Sequence, residues 1–191
     1  MIKEGVLHKE QIENSVHTLR KRIYRFDVPT GQHCDRVGDL AVKIAERAGM
    51  GHEDRFNIFN AGLIHDIGKT TESFRPILYK SGDLTDNDIK IIRGHAQEGS
   101  RIARLEGLDD IAPLIFQHHE RVDGKGYHGF KGDGILPGAS ILTYADVFDA
   151  LTSDRSYHKG KSRDDALSLM YENVGTQLNG AYWDAFEKSV I

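Results

Sequence analysis

Apolar residues recur along most of the chain with the spacing of amphipathic α-helices. Residues 33–47 show this most clearly, because Val37, Leu40 and Ile44 follow the i, i+3, i+7 spacing of one buried helical face. Gly49 is expected to end this helix. Similar patterns predict helical segments at residues 1–26, 54–67, 111–115, after Thr85, and at 139–151, 162–172 and 181–190. No run alternates like a β-strand, so the predicted fold class is all-α.

A glycine-rich stretch interrupts the helical pattern at residues 121–138. Its sequence, RVDGKGYHGFKGDGILPG, contains six glycines, which prevent regular structure. Long loops in compact domains are usually functional or disordered. The chain contains no internal repeat and no linker-like segment, so we predict one domain over residues 28–191, preceded by a helical extension over residues 1–27 that packs on it.

Composition restricts the functional classes. The 191 residues are 39% hydrophobic and 28% charged, which is typical of a soluble globular protein. A net charge of −4 argues against a partner such as polymeric nucleic acid or an anionic membrane, so an anionic substrate must be bound locally. The single cysteine, Cys34, excludes a disulfide framework. No apolar stretch is long enough to span a membrane and the polar start is unlike a signal peptide, so the expected location is cytoplasmic.

Histidine and aspartate residues occupy the apolar phase of five separate segments. His95, for example, lies three residues after Ile92, and Asp146 lies four residues after Leu142. The full set is His33, His65, Asp66, His95, His118, His119 and Asp146. Burying a polar group without a partner costs about 2–7 kcal/mol, so these groups must satisfy one another or share a cation.

A metal centre explains this set better than isolated buried histidines do. For a single histidine, a hydrogen bond to a backbone carbonyl in the core is the ordinary alternative. Five imidazoles and two carboxylates without a thiolate favour Fe, Mn, Zn, Co or Ni over Ca²⁺ or Mg²⁺. Seven ligands exceed the four of a structural zinc site, so we predict two metals with open positions for water.

Five ordered sequence blocks closely resemble the HD-GYP branch of the HD-domain metal-dependent phosphohydrolases. The blocks are HCDRV at 33–37, LIHDIGK at 63–69, LTDNDIKIIRGH at 84–95, HHERVDGKGYHG at 118–129 and YADVFDALTSDRSY at 144–157. The resemblance covers about residues 28–186. It implies an HD-domain helical bundle with a glycine-rich active-site loop, which hydrolyses cyclic di-GMP at a centre of two or three metals.

The resemblance also implies a role for individual residues. Asp66 would bridge the two metals beside His65, and Lys69 would hold a nonbridging phosphate oxygen, which makes Asp66 and Lys69 the catalytic residues. The remaining metal ligands would be His33 and Asp146 on one metal, and His95, His118 and His119 on the other. The resemblance implies that Lys69 and Arg155 contact phosphate or nucleotide. Arg121 and Tyr127 of the glycine-rich loop, together with His158, are further candidate substrate contacts, and Glu120 is expected to orient a ligating histidine.

The chain departs from the family pattern at several positions. Members with a third metal carry a glutamate where this chain has Pro29, so two metals are expected. The GYP signature becomes Gly126, Tyr127 and His128, and we expect His128 to face solvent. In the SDR block, Ser156 replaces a proline, and His158 takes the basic position, with Lys159 as the alternative. Few residues precede the domain, so regulation is expected from elsewhere, with a signalling protein or a second copy of the chain as candidate partners.

The leading hypothesis is a phosphodiesterase with two divalent transition metals, Fe or Mn first, and Zn, Co or Ni as alternatives. It would convert cyclic di-GMP or a related cyclic dinucleotide to the linear dinucleotide, and to GMP in a second hydrolysis. One alternative is a nucleotide phosphohydrolase of the wider HD superfamily, against which the HHE and GY blocks argue. The other is a non-hydrolytic cyclic-dinucleotide receptor module, which would not need a complete set of metal ligands.

Overall fold

The described part of the protein is all-α, as predicted. The computed structural model describes residues 2–78, 80, 82–154 and 159–191, with side chains from residue 9 onward. Within these ranges there are nine α-helices and no β-strand: α1 Ile2–Phe26, α2 Val28–Arg47, α3 His52–Ile64, α4 Arg75–Leu78, α5 Asp86–Leu105, α6 Ala112–Gln117, α7 Pro137–Thr152, α8 Arg163–Glu172 and α9 Trp183–Val190. Along these residues no helix has the length and apolar composition that a membrane span requires.

Side-chain caps fix the starts of α2 and α5, two of the helices that carry predicted site residues. Asp27 accepts the Thr30 backbone N–H at 2.8 Å, which starts α2 five residues before the predicted helix. Thr85 and Asp88 cap each other's backbone N–H groups at the start of α5. Helices α5 and α7 confirm the helices predicted after Thr85 and at 139–151, with small differences at their ends.

The helix predicted at residues 54–67 is shorter than expected. Helix α3 ends at Ile64, and a 3-10 turn follows at Ile67–Thr70. The reason is a close backbone approach: a Cβ on Gly68 would lie 2.0 Å from the carbonyl oxygen of His95 on α5. The chain therefore leaves the α-helix before Gly68, and residues 65–66 lie in a turn.

Helix α2 runs through the centre of the bundle. It packs against α1, α3, α7 and α9, and its buried face includes Val37, Ala41 and Ile44. Ile12, Val16, Leu19 and Ile23 of α1 are buried in the same hydrophobic core. This packing brings residues of α2, α5 and α7 close to the turns that follow α3 and α6.

Candidate metal centre

The structure brings all seven predicted ligands together at the centre of the bundle. His33 comes from α2, His95 from α5 and Asp146 from α7, and the other four lie in turns that follow α3 and α6. Potential donor atoms lie within 4.8 Å of one another in three overlapping groups: His95, His118 and His119; His33, His65 and Asp66; His65, His118 and Asp146. The predicted convergence of these side chains is therefore present.

Four of these residues are not on helices, contrary to the phase argument. His65 and Asp66 follow the last residue of α3, and His118 and His119 follow the last residue of α6. The first residues beyond a helix end still continue its turn, so their side chains point to the same side as the apolar stripe. The predicted direction is right, although the predicted secondary structure is wrong.

Three of the histidines share one orienting hydrogen bond, from Nδ1 to the backbone carbonyl three residues earlier. These bonds join His65 to Gly62 at 2.8 Å, His95 to Ile92 at 2.5 Å and His118 to Ile115 at 2.6 Å. A carbonyl oxygen can only accept, so Nδ1 carries the proton in each ring. In the neutral ring, Nε2 then presents its lone pair to the centre, which is the form that ligates a metal.

Two of these lone pairs face each other. Nε2 of His95 lies 3.3 Å from Nε2 of His118. Protonation does not resolve this contact, because burial lowers the pKa of His95 to about 3 and lowers the pKa of His118 well below its usual range. Nε2 of His65 and Oδ1 of Asp66 are also buried without a hydrogen-bond partner. A bound cation would satisfy these donor atoms, so the residues present fit a divalent metal.

The two central carboxylates remain ionised in this surrounding. Burial raises the pKa of Asp66, but the positive charge of Lys69, with smaller contributions from His65, His95 and His33, outweighs this effect and holds the pKa well below its usual range. The Lys69 ammonium lies 2.6 Å from Oδ2 of Asp66, and this contact raises the pKa of Lys69 despite its burial. Hydrogen bonding from His33 likewise lowers the pKa of Asp146 against the effect of burial. The centre combines charged oxygen ligands with imidazoles.

Asp149 and Arg36 support His33 from outside the set of candidate ligands. Oδ2 of Asp149 lies 2.7 Å from Nδ1 of His33, and Arg36 holds the same carboxylate with contacts of 2.5 and 2.9 Å. Burial lowers the pKa of His33, but its hydrogen bonds with Asp146 and Asp149 raise it to about 9. Sequence analysis missed this pair. The available signal was spacing, since Arg36 and Asp149 each lie three residues after a predicted ligand on the same helix.

Glu120 anchors the glycine-rich loop. The expectation is that it orients a ligating histidine, but among the described residues its carboxylate bonds to loop backbone instead. Its buried carboxylate accepts the backbone N–H groups of His128 at 2.7 Å and Phe130 at 2.8 Å. Gly126 lies directly against it, because a Cβ at this position would be 2.6 Å from Cα of Glu120. The loop is thereby fixed to the turn that carries His118 and His119.

Tyr127 forms a wall of the centre, and His128 faces away from it. The Tyr127 ring lies 4.6 Å from the His119 ring and 6.2 Å from the His95 ring, measured between centroids. The expectation that His128 faces solvent is wrong. Its ring stacks on Phe116 at 3.9 Å with an interplanar angle of 11°, and its Nε2 is buried without a partner.

The remaining predicted substrate contacts differ in their surroundings. Arg121 pairs with Asp123 on the same loop through contacts of 3.0 and 2.7 Å, and it reaches Gln177 at 3.4 Å. Lys69 lies beside the Phe74 ring at 6.0 Å from its centroid. Arg155 and His158 lie outside the described residues.

Comparison with known proteins matches most of the chain to one family. The sequence profile of the HD domain matches residues 12–181. The 3'3'-cGAMP-specific phosphodiesterase 3 of Vibrio cholerae is 34% identical over 84% of this chain, and a cyclic di-GMP phosphodiesterase of Thermotoga maritima is 38% identical over 85%. The alignments cover 35% and 45% of those two proteins, so the chain spans less than half the length of either relative.

A solved structure shares the fold. Bd1817, an HDG"Y"P protein from Bdellovibrio bacteriovorus, superposes with a TM-score of 0.67 at 20% identity, over 83% of this chain and 51% of that protein. This likeness supports the helical bundle independently of the sequence matches.

Proposed function

The chain belongs to the HD-domain family, and we propose that it is a metal-dependent phosphodiesterase that hydrolyses cyclic di-GMP or a related cyclic dinucleotide. The observation that carries the proposal is the buried centre of seven metal-ligating side chains, in which the Nε2 atoms of His95 and His118 face each other at 3.3 Å. The names of the two relatives support the class of substrate. The product would be the linear dinucleotide, followed by GMP where the substrate contains guanine.

The centre would hold two divalent transition metals, Fe or Mn in preference to Zn, Co or Ni. His33 and Asp146 would ligate one metal, and His95, His118 and His119 the other, with His65 beside them. The position of Asp66 supports a bridging role. Its Oδ2 lies 3.9 Å from Nε2 of His33, and its Oδ1 lies 3.3 Å from Nε2 of His95, so its two oxygens face the two halves of the centre.

The protein side chains would bind and orient the phosphodiester. The metal ions supply Lewis acidity, which lowers the pKa of water and offsets phosphate charge. Lys69, held beside Asp66, would stabilise the negative charge that builds up on a nonbridging phosphate oxygen. Asp149 would fix the orientation of His33, and Tyr127 would close one side of the pocket.

Product analysis tests this function. Protein purified without oxygen and loaded with Mn²⁺ is incubated with cyclic di-GMP, 3'3'-cGAMP and cyclic di-AMP, and products are separated by chromatography. We expect a linear dinucleotide from at least one substrate, and loss of turnover in Asp66→Asn. The matched control is Asp109→Asn, which removes the same charge from an exposed position.

Two other results would contradict the proposal. Turnover of deoxynucleoside monophosphates alone would establish a nucleotide phosphohydrolase of the wider HD superfamily. Tight binding of a cyclic dinucleotide without hydrolysis in metal-loaded protein would establish a receptor module.

A further inference from the structure

Three described cations near the candidate metal centre are each paired with a carboxylate. These pairs are Lys69 with Asp66, Arg36 with Asp149 and Arg121 with Asp123. Arg93 differs, because none of the ion pairs within the described ranges involves it. Its contact is with an aromatic ring: the guanidinium carbon lies 5.6 Å from the centroid of Tyr127. Arg93 therefore presents a positive charge without a carboxylate partner among the residues that the structure describes.

The ring beneath Arg93 is held in place from two sides. Glu120 accepts the backbone N–H of His128, the residue after Tyr127, and the His128 side chain stacks on Phe116. The Tyr127 ring also packs against the His119 ring, with 4.6 Å between the ring centroids. Arg93 is also on α5, only two residues before His95. These contacts place the guanidinium at the edge of the metal centre on a fixed platform.

A cyclic dinucleotide carries two phosphodiester anions, and only one of them can be at the metals during hydrolysis. The second anion needs its own cation, because the chain has a net charge of −4 and no general positive field to hold it. A guanidinium suits this task, since its planar N–H groups match phosphate oxygens in pairs and its charge persists at any physiological pH.

We propose that Arg93, held on Tyr127, is a substrate-binding residue that contacts the phosphodiester that is not being cleaved. This inference rests on the proposed function and names a determinant of its substrate class. Arg93 selects substrates with two phosphates over those with one. It does not distinguish guanine from adenine, because its contact is to the backbone of the dinucleotide.

The test compares substrates with one and two phosphodiesters. KM and kcat are measured for cyclic di-GMP, cyclic di-AMP and bis(p-nitrophenyl) phosphate in Arg93→Gln and Arg93→Lys. The control is Arg104→Gln, which removes the same charge from an exposed position on the same helix. Equilibrium binding of cyclic di-GMP to each variant gives a readout without turnover.

We expect Arg93→Gln to raise the KM and the Kd for cyclic dinucleotides about 10-fold, the loss of one charged hydrogen-bonding group. The ratio of KM for a cyclic dinucleotide to KM for bis(p-nitrophenyl) phosphate should rise by a similar factor. Arg93→Lys should restore part of the affinity, and Arg104→Gln should leave this ratio at its wild-type value.

Several results would overturn the inference. Wild-type KM values in Arg93→Gln would show that Arg93 does not bind substrate, and an equal rise for all substrates would show that it acts on the centre in general. An effect on cyclic di-GMP alone would assign Arg93 to the guanine base. Wild-type protein that neither binds nor cleaves a cyclic dinucleotide would instead overturn the proposed function, and this inference with it.

Discussion

Oδ2 of Asp149 lies 2.7 Å from Nδ1 of His33, on the side of the imidazole opposite the candidate metal centre. Nε2 of the same ring lies 3.1 Å from Oδ1 of Asp146, one helical turn before Asp149 on α7. One helix thus contacts both nitrogens of His33. Because Arg36 secures the Asp149 carboxylate, the ring has one defined orientation.

Replacing Asp149 should weaken metal binding without unfolding the bundle. In Asp149→Asn the side-chain amide cannot accept hydrogen bonds from both His33 and Arg36. We therefore expect metal affinity to fall about 10- to 100-fold, which is the usual effect of losing a group that orients a ligating histidine. Competition with a coloured chelator measures the affinity. The control is Asp109→Asn. Unchanged affinity in Asp149→Asn would show that the contact is only structural.

Gly126 should not tolerate a side chain. A Cβ there would lie 2.6 Å from Cα of Glu120 and 2.8 Å from the carbonyl oxygen of His119, so Gly126→Ala must displace the loop or the turn. We expect a loss of about 1–3 kcal/mol in the free energy of unfolding, measured with urea. At Gly134 the nearest atom would be 4.0 Å away, so Gly134→Ala is the control. Equal stability of the two variants would contradict this packing.

Replacing Gly68 or Gly94 with alanine should change the free energy of unfolding in opposite directions. A Cβ on Gly68 would meet the His95 carbonyl oxygen at 2.0 Å, whereas a Cβ on Gly94 would meet nothing within 4 Å. We expect Gly68→Ala to be destabilised by 1 kcal/mol or more, as about 1–3 kcal/mol is typical of overpacking. Gly94→Ala, inside α5, should gain about 0.5–1 kcal/mol. Urea unfolding distinguishes them, and a stable Gly68→Ala would contradict the close approach of α5.

The stack of His128 on Phe116 should stabilise the glycine-rich loop. His128→Ala removes the stack, and we expect faster amide hydrogen exchange over residues 121–131 and a loss of about 0.5–1.5 kcal/mol. His128→Phe keeps an aromatic ring and removes the unpartnered Nε2, so its exchange should match the wild type. Wild-type exchange in the alanine variant would show that Glu120 alone holds the loop.

The convergence of the seven candidate ligands is predictable from sequence because each breaks an apolar stripe. A polar residue such as His95 or Asp146, at a position where the helical pattern predicts a buried apolar residue, can be recognised in the sequence. The contacts of the glycine-rich loop leave no such signal. Glu120 accepts hydrogen bonds from backbone N–H groups, and His128 stacks on Phe116 of another segment. Neither contact produces a periodic sequence pattern that could be recognised.

The early end of α3 was unpredictable for a related reason. The apolar spacing continues to Ile67, but the close approach of Gly68 to α5 decides where the helix stops. Arg36 and Asp149 were detectable in principle, since both follow a predicted ligand by one turn. Charged residues at that spacing are common on solvated helix faces, so only the structure shows that the carboxylate of Asp149 is buried and paired with Arg36.

The central claim is tested most directly by titrating metal-free protein with Mn²⁺. The bound metal per chain and the rate of cyclic di-GMP hydrolysis are measured in the same titration. The facing lone pairs of His95 and His118 and the two-sided position of Asp66 predict that the rate rises with occupancy and reaches its maximum at about two metals per chain. Full hydrolysis without bound metal, or a chain that binds none, would contradict the account.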